Sequence, residues 1–308
     1  GSQRVSSVIY DKARQLLASG AIGELNLVEA WWDRNSAIGA WQYSVPPDAS
    51  PSNIDWDTYL GSAPKRPFEP VRLFRWRNYQ DYGTGVAGDL YVHLFTGIHY
   101  VMDSNGPNRI MSTGGLYYWN DGRDVPDLML GMYDYPDTKA HKAFHLSIRL
   151  NFEAGGGDGS GFRFIGTEGV LDLAVGGALV LKRKPKDTEP GHTAGTFSKA
   201  TAEEILRDYR GKISKATAEE ILRDYRGKYP AQRPSADGMR ANTEQRWVLP
   251  PGYTEQYAHH ENFINAIRSR KAVIEDSTFG LRAAGPALLS NVSHFTRQTM
   301  HWDPETMV

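Results

Sequence analysis

Residues 144–152 have the sequence FHLSIRLNF, in which apolar and polar side chains alternate strictly. Successive side chains of a β-strand point to opposite faces of a sheet, so this period of two predicts a strand with one apolar and one polar face. The apolar positions are Phe144, Leu146, Ile148, Leu150 and Phe152. A strand of this kind belongs to a sheet that is covered on one face only, which is typical of antiparallel sheets.

Short β-like runs separated by Gly, Pro and Asp turns lie on both sides of this strand. They are RIMSTGGLYYWN (109–120), DLMLGMYDY (127–135), GFRFIGTEGVLDLAV (161–175) and ALVLKRK (178–184). We predict that they form a meander of antiparallel strands. The intervening GGGDGSG, residues 155–161, is typical of a flexible hairpin. Upstream, GELNLVEAWWDRN at 23–35 predicts one more strand, which ends in the polar pair Arg34 and Asn35.

Helical spacing of apolar residues appears at both ends of the chain. It occurs at residues 5–19, 252–271 and 278–295. Together with the strands, these helices predict an α+β fold with a largely antiparallel, open, twisted sheet of about six to nine strands. Helices cover one face of that sheet, and the other face is free to meet a partner.

Composition excludes several classes of protein. The 308 residues suffice for a sizeable core, and we expect a single substrate-binding or catalytic domain over residues 1–308. The 35 Lys and Arg residues nearly balance the 36 Asp and Glu residues, so no nucleic-acid partner is indicated. The absence of cysteine excludes disulfides and thiolate metal sites. No apolar run reaches the length of a membrane span, which predicts a soluble globular protein.

One segment is duplicated in tandem. SKATAEEILRDYRGK at 198–212 recurs without a difference at 214–228. The sequence of each copy predicts an amphipathic helix. In the first copy, Thr201 and Glu204 would form the capping box at the helix N-terminus. Two identical short units do not make a solenoid, which needs about three repeats. We therefore expect one copy to occupy the helix position and the other to extend or loop out, without a function of its own.

The richest chemistry lies in RNYQDYGTGVAGDLYVHLFTGIHYV at residues 77–101, which contains Asp89, His93 and His99. Its glycines 83, 85 and 88 match the dinucleotide pattern G-x-G-x-x-G. That pattern needs a buried hydrophobic strand just before it, whereas the preceding VRLFRWRNYQDY is aromatic, basic and polar. We therefore interpret the glycines as a tight turn into a helix.

Asp89 and His93 are four residues apart and would share one face of that helix. A carboxylate beside an imidazole fixes the tautomer and raises the basicity of the ring, as in a general base that acts near neutral pH. The alternative is a helix N-terminal carboxylate followed by a core histidine. No metal site is predicted, because the adjacent His259 and His260 would point about 100 degrees apart on a helix.

Five motifs in this order resemble a known family. They are GAIGELNLVEAWWDRN (20–35), DWDTYLGSAPKRPF (55–68), YGTGVAGDLYVHL (82–94), RFIGTEGVLDL (163–173) and HHENFINAIRSRK (259–271). The arrangement resembles the substrate-binding and catalytic domain of the Gfo/Idh/MocA oxidoreductases, which include glucose-fructose oxidoreductase-like and inositol dehydrogenase-like enzymes. The resemblance covers nearly the whole chain apart from the second repeat copy.

The resemblance implies NAD or NADP as cofactor. Family members bind it in an N-terminal Rossmann domain that ends in a Glu-Lys-Pro motif, and neither feature occurs in this sequence. We therefore expect no cofactor-binding residues within the chain and no activity from the chain alone. Asp89 and His93 match the family's Asp-x-x-x-His pair, with His93 taking a proton from a sugar or polyol hydroxyl and Asp89 orienting it. Tyr91 replaces a glycine that is usual in the family, which is expected to narrow the pocket.

Further side chains are candidates for substrate contacts, because Arg and Asn offer fixed donors and aromatic rings stack on sugars. They are Arg34, Asn35, Trp76, Arg77 and Tyr82. The family resemblance also implies a homo-oligomer formed through the open face of the sheet. Two alternatives remain open: a stand-alone carbohydrate-binding or assembly domain, and a redox-assisted, NAD-dependent glycoside hydrolase.

Overall fold

The computed structural model describes residues 1–183 and 244–308 together with the isolated positions 198, 200, 201 and 204. The chain divides into two units, residues 1–183 with 244–308 and residues 184–243. All the elements described below belong to the first unit. Apart from those isolated positions, the duplicated segment 198–228 lies outside the described residues, and so do its two predicted helices.

A single mixed sheet forms the framework of the described residues. Its strands are β1 (Leu25–Asp33), β2 (Arg109–Gly115), β3 (Leu128–Tyr135), β4 (Phe144–Asn151), β5 (Gly159–Gly166), β6 (Gly169–Ala174), β7 (Leu179–Arg183), β8 (Glu244–Trp247) and β9 (Met300–His301). They lie in the order β8-β7-β6-β5-β1-β4-β3-β2-β9. Only β1 and β4 pair in parallel among the described strands. The predicted fold, a largely antiparallel open sheet, is therefore confirmed.

The predicted meander is wrong at one place, because β1 lies between β4 and β5. It pairs in parallel with β4 and antiparallel with β5. The glycine-rich residues 155–161 therefore do not close a hairpin: they cross the end of β1, and the last three begin β5. The physical reason is that the centre of β1, at Val28 and Ala30, is buried, so the backbone groups on both of its edges need partners.

The alternation in β4 is confirmed. Its apolar side chains Phe144, Leu146, Ile148 and Leu150 are at most 5% exposed, whereas the polar side chains between them face outward. Helices cover the apolar face. The helices are α1 (Val8–Ala18), α2 (Trp56–Leu60), α3 (Pro70–Phe74), α4 (Val92–Met102), α5 (Glu255–Ser269) and α6 (Ser277–Thr296). Helix α4 packs between α1 and α6, and α6 also packs on β2.

The helix predicted at 252–271 is present as α5, which begins after the N-cap Thr254. Its apolar side chains are exposed, from 44% at Ile264 to 71% at Tyr257, so the periodicity identified the helix but not a buried face. Within the described part of the chain, no helix combines the length and the apolar character that crossing a membrane requires.

The face of the sheet opposite the helices carries a shallow groove of about 640 Å³. Its lining combines exposed apolar side chains, among them Met111, Leu130 and Met132, with the polar side chains Glu29, Ser147, Arg149 and Arg163. The sheet therefore has one face that forms the core and one that is free, as the alternation in β4 predicted.

Candidate functional site

Strand β1 carries the chain from the core to the candidate site. Because side chains alternate, the buried Val28 and Ala30 place Trp32 on the helix-covered face, whereas Trp31 lines the groove on the open face. Trp32 is partly buried and packs against the core. The end of β1 thus presents the ring of Trp32, followed by Arg34, on the side where α4 lies.

The glycine turn is not a dinucleotide fingerprint. The residues before it form α3 and a short 3-10 turn at Trp76–Asn78, so the strand that such a fingerprint requires is absent from this described stretch. Gly85 has a φ of +57°, and a Cβ on it would come within 2.8 Å of Val125. Gly88 packs against Thr84, whose Oγ1 would lie 1.7 Å from an added Cβ. Gly85, through its left-handed φ, and Gly88, through its close packing on Thr84, therefore allow the tight turn into α4 that was predicted.

A π-helical turn at Ala87–Tyr91 joins the glycines to α4 and contains Asp89. Such turns are rare and occur frequently at functional sites. The Asp89 carboxylate accepts hydrogen bonds from Arg77 Nε at 3.1 and 3.2 Å. Arg77 also stacks over Trp76, with Cζ 4.4 Å from the ring centroid. Arg77, one of the predicted substrate contacts, holds the carboxylate of the predicted catalytic pair.

His93 lies one helical turn beyond Asp89, in the first turn of α4. Its ring centroid is 5.7 Å from that of Trp32. The Nδ1 atom is buried and has no hydrogen-bond partner, whereas the Nε2 atom keeps some accessible surface. Neither nitrogen bonds to Asp89 or to another described residue, so the carboxylate does not fix the tautomer of the ring.

Burial lowers the pKa of His93 from 6.5 to about 4, and the charges of Arg4 and Arg34 act in the same direction. Asp89 raises the pKa, as the sequence predicted, but burial outweighs it. The expectation of a basicity raised toward neutral pH is therefore wrong. His93 is neutral at pH 7, and a neutral imidazole is the form that accepts a proton.

Two contributors to the site, Arg4 and Trp32, are not among the predicted site residues. Arg4 pairs with Glu255 at 2.6 Å and lies over the Trp32 ring, with Cζ 5.7 Å from its centroid. The alternation along β1 would have placed Trp32 on the side of α4. No local signal identifies Arg4, because its ion pair joins residues 251 positions apart.

The other residues that were predicted to contact substrate lie in different surroundings. Arg34 donates from Nη1 to the Gly39 carbonyl at 2.7 Å and lies over Trp32, with Cζ 5.9 Å from the ring centroid. The side chain of Asn35 is exposed. Tyr82 packs on Tyr59, with ring centroids 5.0 Å apart, and its buried hydroxyl has no hydrogen-bond partner among the described residues. The structure therefore joins Arg34 to the surroundings of His93 and places Tyr82 in an aromatic cluster.

Two other residues of the glycine stretch belong to the core. Tyr91 is fully buried, and its hydroxyl donates to the Met129 carbonyl at 2.8 Å, so it does not narrow a substrate pocket as expected. His99 is 1% exposed and its Nε2 lies 3.0 Å from the Tyr135 hydroxyl. Burial lowers the pKa of His99 to about 3. His99 is therefore a structural histidine.

A family comparison covers this part of the chain. Residues 32–113 match the Gfo/Idh/MocA family model described as "Oxidoreductase family, C-terminal alpha/beta domain". The match contains Trp32, Arg34, Arg77, Asp89 and His93, and it confirms the resemblance found in the sequence. No curated protein sequence matches the chain.

Solved structures share the fold. Levoglucosan dehydrogenase in complex with NADH and levoglucosan is 12% identical, with 97% of this chain and 64% of that chain covered and a TM-score of 0.55. An NAD binding oxidoreductase from Klebsiella pneumoniae is 13% identical, with 97% of this chain and 64% of that chain covered and a TM-score of 0.54. An oxidoreductase domain protein from Kribbella flavida is 15% identical, with 97% of this chain and 63% of that chain covered and a TM-score of 0.53. The present chain thus spans less than two thirds of the length of these structures.

Proposed function

We propose that this chain is the substrate-binding and catalytic domain of an NAD(P)-dependent oxidoreductase that acts on a hydroxyl group of a sugar or polyol. The observation that carries the proposal is His93: a neutral imidazole in the first turn of α4, with an unbonded Nε2, one turn beyond the carboxylate that Arg77 anchors on the π-helical turn. The family match over residues 32–113 and the NADH-bound structure of similar fold support it.

In this mechanism, His93 accepts the proton of the substrate hydroxyl at Nε2 while the hydrogen on the same carbon departs as hydride, leaving a carbonyl group. The neutral tautomer that leaves Nε2 free has its proton on Nδ1. A bound nicotinamide supplies the hydride acceptor. In the reverse direction, the imidazolium returns the proton to the carbonyl oxygen.

Asp89 stabilises the positive charge that develops on the His93 ring, because its carboxylate already raises the pKa of that histidine. Arg77 holds the carboxylate in place through Nε, so Asp89 does not move away when the ring is neutral. Trp32 supplies an aromatic surface beside the imidazole, of the kind on which the apolar face of a sugar stacks.

The nicotinamide domain would come from outside the described residues, because the described sheet is largely antiparallel and its glycine turn follows no strand. We therefore expect the chain by itself to show no turnover. The open face of the sheet would form a homo-oligomer contact.

The test joins this chain to an N-terminal dinucleotide-binding domain and follows the formation of reduced nicotinamide with a panel of sugars and polyols. We expect turnover in the fusion and none with the chain alone. His93→Ala should lower kcat by about 10²-fold or more, which is the usual share of a general base. The rate of oxidation should fall only as the pH approaches 4, where His93 becomes protonated.

His260→Ala provides the matched control. His260 is an exposed histidine on α5 whose Nδ1 lies 2.8 Å from the Gln256 carbonyl oxygen, and its replacement should leave kcat unchanged. Full turnover in the His93→Ala fusion would remove His93 from the mechanism. Saturable sugar binding without turnover in any fusion would favour a carbohydrate-binding module instead.

A further inference from the structure

Arg34 is a half-buried cation without an ion-pair partner among the described residues. Among the residues that the structure describes, no carboxylate forms an ion pair with it, and its one hydrogen bond goes from Nη1 to the Gly39 carbonyl. Other arginines of this region are paired: Arg4 with Glu255 at 2.6 Å and Arg77 with Asp89 at 3.1 Å. Burial lowers the pKa of Arg34, which reflects the cost of holding its charge away from water, and it outweighs the opposite effect of the Asp89 and Asp158 carboxylates.

The guanidinium of Arg34 is held in a fixed orientation. Its Cζ lies 5.9 Å from the centroid of the Trp32 ring and 5.7 Å from that of Phe152, and the bond to Gly39 anchors one nitrogen. A guanidinium has five N–H donors in a planar fork, and one bond leaves most of them without a protein partner. This is the geometry that a carboxylate recognises with two parallel hydrogen bonds.

Arg34 belongs to the same site as His93. The Trp32 ring contacts both side chains, and the charge of Arg34 helps to lower the pKa of His93. The neighbouring arginines differ from Arg34, because Arg4 is paired with Glu255 and Arg77 with Asp89. The carboxylates of Asp89 and Asp158 act on Arg34 only from a distance, without forming an ion pair with it. Arg34 is therefore the arginine beside Trp32 whose guanidinium has no direct carboxylate partner among the described residues.

We propose that Arg34 binds a carboxylate of the substrate, so that the substrate is a sugar acid rather than a neutral sugar. This inference rests on the proposed function, since it assigns the substrate class of the same site. A carboxylate supplies a direct ion-pair partner and accepts hydrogen bonds from the unused donors of Arg34. A neutral sugar leaves the guanidinium without an ion pair when it displaces water from it.

The test measures binding to the full chain by isothermal titration calorimetry, with D-glucuronate and D-gluconate as acidic probes and D-glucose and D-glucitol as neutral ones. We expect each acid to bind at least tenfold more tightly than its neutral counterpart. Arg34→Gln should abolish that preference, and Arg34→Lys should retain part of it, because lysine keeps the charge but not the fork. Arg149→Gln, on the open face, should leave binding unchanged.

Circular dichroism and thermal melting establish that each variant is folded. Equal affinity for acids and neutral sugars overturns the assignment of a carboxylate but leaves the proposed oxidoreductase standing. The assignment of a carboxylate to Arg34 is also overturned if the sugar acids still bind to folded Arg34→Gln, or if they do not bind to the folded native chain. The fusion assay, run with the acidic probes as well as with neutral sugars and polyols, decides the proposed function separately, because it measures turnover and its loss in His93→Ala whichever class is the substrate.

Discussion

His93 and His99 lie on the same helix, and their surroundings give them different properties. His93 is partly accessible, its Nε2 is unbonded, and it faces Trp32 and nearby charges. His99 is enclosed by Phe95 and Tyr135 and bonds to the Tyr135 hydroxyl. Burial lowers the pKa of both rings, so both are neutral at pH 7. Accessibility, rather than pKa, separates the candidate base from the structural histidine.

The buried His99 predicts a loss of stability in acid. Its pKa is about 3 in the folded chain and near 6.5 when unfolded, so the unfolded chain binds more protons between these values. The stability that neutral His99 contributes is complete above pH 6.5 and is lost progressively as the pH falls toward 3. The full effect is about 5 kcal/mol, and about 2 kcal/mol of it should disappear between pH 7.5 and 5.

His99→Phe isolates this effect. At pH 7.5 the variant should be less stable than the native chain by about 1–3 kcal/mol, because the buried Tyr135 hydroxyl loses its partner. Between pH 7.5 and 5, however, its free energy of unfolding should fall by about 2 kcal/mol less than that of the native chain. Urea titrations followed by circular dichroism measure both quantities. Equal pH dependence in the two proteins would contradict the buried, neutral state of His99.

At the residue scale, the sequence identified the centre of the candidate site but not its charge balance. The spacing of Asp89 and His93 predicted their common helix, because that relation is local. The contact of Arg4 with Trp32 depends on how separate segments pack, and the bond from Arg77 to Asp89 spans 12 residues across the glycine turn, so neither follows from helical spacing. The pKa of His93 depends on burial by these segments, so no local pattern could give its direction.

At the element scale, periodicity predicted the type of an element better than the contacts that the element makes with others. The alternation in β4 correctly separated a buried face from an open one. It carried no information on pairing, which is why the insertion of β1 between β4 and β5 was missed. Likewise, the helical spacing in α5 identified a helix whose apolar side is exposed.

Gly97 determines how closely α4 approaches its neighbours. A Cβ at this position would come within 2.8 Å of Tyr10 Cε1 on α1 and 2.9 Å of Phe162 Cζ on β5. Both rings are fully buried and pack edge to face, with centroids 6.0 Å apart, so neither can withdraw easily. The position therefore needs glycine for space rather than for a positive φ.

We expect Gly97→Ala to destabilise the chain by about 1–3 kcal/mol, since overpacking outweighs the better helix propensity of alanine. Gly280→Ala on α6 is the matched control, because nothing lies within 4 Å of the added Cβ. That variant should be more stable by up to about 1 kcal/mol. Urea denaturation of both variants measures the difference. Stabilisation by both substitutions would show that α4 can move away from Tyr10 and Phe162.

At the scale of the whole molecule, the open face of the sheet is the surface that a second copy would cover. Met111, Leu130 and Met132 are 44%, 42% and 50% exposed there, beside the groove. Charged pairs flank them: Arg149 with Asp33 at 2.5 Å and Arg163 with Asp172 at 2.7 Å. An apolar centre with a polar rim is the usual composition of a protein interface.

A charge placed in the apolar centre should therefore weaken self-association. We expect the native chain to form a homo-oligomer, and Met132→Arg to raise its dissociation constant at least tenfold, because the new cation is desolvated when the copies meet. Ile38→Arg is the control: Ile38 is 74% exposed on the loop after β1, away from the groove, and its replacement should not change the assembly. Light scattering after size exclusion, over a range of concentrations, gives the masses. If the native chain is a monomer at every concentration, or if both variants retain its assembly, the open face is not the contact between copies.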